Sequence, residues 1–84
     1  MLDIRDFEIH RGNYGKSTIK QDVLFYAGIN HHYGIVYDQE FRCYELIVET
    51  LDENREYTNE QKYSCSKLSM AIASIEDIEE GKEI

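Results

Sequence analysis

Three side chains in this 84-residue chain have the makings of a nucleophilic site: Cys65, His32 and Glu45. A thiol attacks as its thiolate, an imidazole beside it takes the proton, and a carboxylate on the other ring nitrogen holds the imidazole in place. The chain order is histidine, acid, cysteine, so tertiary structure must bring the three together. Cys65 precedes Leu68, Ile72, Ile75 and Ile78, whose spacings of four, three and three predict an amphipathic helix. A helix N-terminus also favours the thiolate. Glu45 stands between Cys43 and Ile47 on a partly apolar strand phase, where a carboxylate needs a partner.

The elements that must position these groups follow from hydrophobic period. Asp22 to Asp38 is the strongest hairpin signal, two apolar and aromatic runs joined at an Asn-His-His corner. Asn30 tolerates the positive φ of a tight turn, which puts His32 at the start of the returning strand. Phe41 to Leu51 predicts a third strand, with Tyr44, Leu46 and Val48 in one phase and Phe41, Cys43, Glu45, Ile47 and Glu49 in the other. Residues 2–9 fit either a bulged strand or a short helical turn, and Arg11 to Thr18 reads as a loop. Asp52 to Lys62 reads as a polar loop running into the final helix, which Gly81 ends. Two starts compete: Thr58-Asn59-Glu60-Gln61 is a capping box, and Ser64 is a second N-cap candidate. A start at Thr58 buries Cys65 about two turns inside the helix, as ordinary core. The fold class expected is α+β, a single domain over 1–84: an antiparallel sheet of three or more strands with the C-terminal amphipathic helix packed on one face.

Composition narrows the function classes. A chain this short builds a small core, so a homo-oligomer is one expectation. With no apolar leader and no apolar run of membrane-spanning length, Cys43 and Cys65 read as free cytosolic thiols in a cytoplasmic protein. The formal charge is −8, from 17 acids against 9 bases. Residues 1–44 hold 6 acids and 5 bases, and residues 45–84 hold 11 and 4, so the excess is C-terminal. Such a chain has no basic stripe for a nucleic-acid backbone. Glu76, Asp77, Glu79 and Glu80 suit a basic protein partner, which makes an inhibitor or a nucleic-acid-mimicking decoy the second functional reading, beside plain solvation. The skew towards Ile, Lys, Asn, Tyr and Glu is of the kind that AT-rich bacterial or phage genomes produce. Gly15-Lys16-Ser17-Thr18 matches the tail of a phosphate-binding loop but has His10 where the first glycine belongs and a strand, not a helix, after it. His31, His32, Cys43 and Cys65 show no ligand spacing of a metal site, and no cofactor is implied.

Four short stretches carry a family resemblance: Gln21-Asp22-Val23-Leu24-Phe25, His32-Tyr33-Gly34-Ile35-Val36, Tyr44-Glu45-Leu46 and Tyr63-Ser64-Cys65-Ser66-Lys67-Leu68. Over residues 19–72 this pattern resembles the circularly permuted branch of the NlpC-type papain-like thiol hydrolases, with its YiiX-like and lecithin:retinol acyltransferase-like members. The resemblance implies Cys65 as nucleophile, His32 as base, Glu45 as orienting acid and Tyr63 near the oxyanion site, acting on an amide or ester. Gln21 stands where the family has glycine, and 19 residues separate Glu45 from Cys65 where the family has more.

Overall fold

The computed structural model describes residues 2–13 and 20–81, with a five-stranded antiparallel sheet followed by one helix. The strands are β1 (Glu8–Asn13), β2 (Lys20–Ala27), β3 (His31–Asp38), β4 (Cys43–Leu51) and β5 (Tyr57–Cys65), and the helix is α1 (Leu68–Glu79). Their order in the sheet is their order in the chain. Every strand therefore pairs with its sequence neighbour, as short polar turns allow. In one such turn the Asp38 carboxylate accepts the N–H groups of Glu40 and Phe41, and Arg42 takes a positive φ of 52°. In another the Asp52 carboxylate accepts from Asn54 and Glu56, with Arg55 at φ 64°.

Strand alternation divides the side chains between two faces. Tyr33, Ile35, Leu46, Val48 and Cys65 point to one face, where Ala71 and Ile75 of α1 and Phe7 of the N-terminal segment complete the main core. Half-buried Leu24, Tyr26, Tyr44, Tyr63, Leu68, Ile72 and Ile78 pack around it. The other face has a much smaller cluster, Val23, Val36 and Ile47. Gly34, buried, stands opposite both Phe25 and Ile47 there.

The hairpin, the third strand and the final helix stand as the residue pattern predicts, and Gly81 ends the helix with φ +79°. Other expectations are corrected. Residues 57–65 form β5, not a loop or a helix start. Tyr63 and Cys65 share a phase that reaches the core, and this burial outweighs the capping-box pattern at Thr58. The helix begins at Leu68, with Lys67 as an N-cap that makes no side-chain hydrogen bond, so Ser64 is no cap either. Residues 2–9 divide into a 3-10 turn, Ile4–Asp6, capped by Asp3, and the start of β1, which continues through Arg11 to Asn13. Phe41 lies in the turn before β4 and is exposed. Arg42 and Arg55 are the non-glycine residues with positive φ among those described, so Asn30 turns the corner without it; the Gly28 N–H donates to the His31 carbonyl at 2.8 Å. Gly15-Lys16-Ser17-Thr18 lies outside the described residues. Among those described, no helix is long and apolar enough to cross a membrane.

Candidate functional site

Cys65 is the last residue of β5 and stands opposite Tyr44 on the helix-covered face, 6% exposed. Burial pushes its thiol pKa up, and the nearby Cys43 pushes it the same way. This is the reverse of what a nucleophile needs. His32 and Glu45 take the opposite strand phase and project from the other face. They are also apart from each other: His32 faces Glu49, and Glu45 lies four residues further along β4, roughly 13 Å at strand rise. The Glu45 partner is Lys62, with Nζ at 3.9 Å from its carboxylate. The ring of His32 shares a 2.9 Å hydrogen bond with the Tyr57 hydroxyl through Nδ1. Tyr63 lies beside the main core and donates its hydroxyl to Gln61 at 2.7 Å. The sheet thus stands between the thiol and the imidazole. Cys43 and Cys65 are both free thiols.

Two acids of the C-terminal helix, Glu76 and Glu79, are engaged within the chain. Glu79 accepts hydrogen bonds from the Ile29 N–H at 2.9 Å and the Tyr33 hydroxyl at 2.8 Å, and its carboxylate lies 4.0 Å from His31 Nδ1. The carboxyl group occupies the space a side chain on Gly28 would need. Glu76 accepts the Leu2 N–H at 2.6 Å. Carboxylates in a last helical turn oppose the helix dipole, and α1 has no basic residue there to offset them. These donors from the corner, from β3 and from the N-terminal segment supply the compensation. Buried Tyr33, given a carboxylate as its acceptor, has its hydroxyl pKa raised, by burial first and by Glu79 second. Leu2, Asp6, Tyr26, Glu76, Glu79 and Glu80 line an acidic groove of about 480 Å³. Among the described residues, no three His, Cys, Asp or Glu side chains converge to hold a metal ion.

The face opposite the helix carries a different constellation. A row of rings crosses it: His10 to Phe25 at 5.3 Å between centroids, Phe25 to His32 at 5.4 Å, and His32 to Tyr57 at 5.6 Å, each edge to face. Tyr57 is 60% exposed. Beside the row, Glu49 of β4 stands directly opposite His32 on one side and Glu60 of β5 on the other. Like charges directly opposite in a sheet destabilise it, and among the described residues no cation pairs with either. Glu49, Tyr57, Thr58, Asn59 and Glu60 line a shallow hollow of about 400 Å³. Residue pattern singled out His32 in this group but missed Tyr57, Glu49 and Glu60. The Tyr63-x-Cys65 alternation could have revealed the strand, but a register shift between Thr50 and Leu51 turns Tyr57 to the face opposite the one that this phase gives.

Comparison with family models, with curated proteins and with solved structures returned no match to the chain.

Proposed function

We propose that this chain is a non-catalytic acidic interaction protein that binds a basic protein partner. The carrying observation is the charge: −8 overall, concentrated in residues 45–84. Three of its acids, Glu53, Glu56 and Glu60, stand exposed on the loop before β5 and on that strand. Such a field steers a basic partner and speeds its association, with strong dependence on salt. The thiol-hydrolase alternative needs Cys65, His32 and Glu45 on one side of the sheet, and the strand phases oppose that.

The test is to capture a partner with the immobilised chain, identify it, and reconstitute the pair from purified components. The expected partner is basic, and its complex weakens steeply as salt rises. A neutral or acidic partner, or a complex indifferent to salt, overturns the reading. A second measurement bears on catalysis. Cys65 is expected to resist iodoacetamide in the folded protein, and His32→Ala to leave its rate unchanged. Rapid Cys65 alkylation below pH 8 that His32→Ala suppresses would restore the hydrolase reading.

A further inference from the structure

In the described chain, α1 and the N-terminal segment both pack on the same face of the sheet. The opposite face has only the Val23, Val36 and Ile47 cluster beneath it and the aromatic row across it. We propose that this open face, along His10, Phe25, His32 and Tyr57 with Glu49 and Glu60 beside them, is the docking surface for an arginine-bearing segment of a basic protein. The inference rests on the interaction reading above and names the surface that performs it.

Three features select that occupant. Glu49 and Glu60 form a like-charge pair across β4 and β5, left without a cation among the described residues. A guanidinium placed between them relieves the repulsion and can pair bidentately with a carboxylate, which an ammonium cannot do. The hollow that holds these two acids is walled by Tyr57, and aromatic rings stack on guanidinium groups. Lys62 is the only lysine or arginine that strand register assigns to this face among the described residues, and it lies by Glu45. A second copy of the chain fits poorly, because it would bring another chain of charge −8 against Glu49 and Glu60.

The probes are nona-arginine and nona-lysine, titrated at low salt into the isotope-labelled full chain and followed by amide chemical shifts. Shift changes are expected to centre on Phe25, His32, Glu49, Tyr57 and Glu60, with the arginine peptide binding about two- to fivefold more tightly than the lysine peptide. Tyr57→Ala is expected to erase that preference, and Tyr57→Phe, which keeps the ring, to retain it. Glu49→Gln should weaken binding, whereas Asp77→Asn, the same charge change on α1, should not. Shifts centred on Glu76 to Glu80, equal affinity for both peptides, or equal losses from the two charge variants would overturn the surface while leaving the interaction reading intact. Concentration-dependent shifts at the same residues without peptide would assign the face to a second copy and overturn the proposal. Absence of binding by either peptide would also overturn it, and a failed partner reconstitution would separately overturn the broader reading.

Discussion

The two faces of the sheet are made by the same strands and differ in what covers them. On one face Ile75 of α1 is completely buried, together with Tyr33, Leu46 and Ala71. On the other, Ile47 is 1% exposed, yet its buried cluster comprises only Val23 and Val36. Near-zero exposure thus arises from a thick core in one case and a thin apolar layer in the other. The thick face binds the chain to itself, and the thin face leaves aromatic rings and unpaired carboxylates at the surface.

The sharpest test of this contrast truncates an isoleucine on each face. Ile75→Ala is expected to cost about 3–5 kcal/mol in denaturant unfolding, because the cavity is enclosed by sheet and helix. Ile47→Ala should cost about 2 kcal/mol, at the low end of the same range, since a thin layer collapses more readily. Equal costs would mean that the open face is a second core. A smaller effect is expected at the Glu79 contact. Glu79→Ala removes the acceptor of the Tyr33 hydroxyl, a loss of about 1–3 kcal/mol. Gly28→Ala drives a methyl group into the space of that carboxylate, so its cost should largely vanish in the Glu79→Ala background. Additive costs would detach Gly28 from the contact.

Alkaline pH should also report on the covered face. Cys65 and Tyr33 both have pKa values raised in the folded state, from ordinary values of 9.0 and 10.0. Their protonated forms are favoured by folding, so their contribution is complete below those ordinary values. As pH rises past about 9, the unfolded chain releases protons that the folded chain retains, and stability falls. Cys65→Ala should flatten the first part of that decline and Tyr33→Phe the later part, measured by denaturant midpoints across pH 8–11. An unchanged slope would mean that neither group is held from water. The smallest effect belongs to the open face. Glu60→Gln removes the repulsion with Glu49 and should stabilise the free protein by about 0.2–0.5 kcal/mol. Destabilisation there would show that the pair is compensated.

The contrast between the faces also explains how much was legible in the residues alone. Alternation in the Asp22 to Asp38 hairpin and in β4, and the Leu68 to Ile78 spacing, are dense apolar signals, and the corresponding elements are present. In β5 only Cys65 is buried, so the period is masked by polar residues that also satisfy a capping box. That one strand decides the candidate site. Read as a helix from Thr58 it makes Cys65 ordinary core, and read as a loop ahead of a helix capped by Ser64 it sets Cys65 in the first helical turn. As a strand it fixes the phase that puts the sheet between Cys65 and His32. The acids at 76–80 were visible as charge, but the engagement of Glu76 and Glu79 within the chain depends on contacts from residues 2, 29 and 33, which local pattern does not encode.

The Glu79 contact has a consequence for the order of folding. Every strand pairs with its neighbour in the chain, so the sheet can assemble hairpin by hairpin through short loop closures. The hydrogen bonds from Tyr33 and Ile29 to Glu79 span 46 and 50 residues, and that from Leu2 to Glu76 spans 74. Helix docking is therefore the late, long-range step. Changes confined to Glu79 are expected to accelerate unfolding while leaving the folding rate nearly untouched, so this carboxylate acts chiefly on the lifetime of the folded chain.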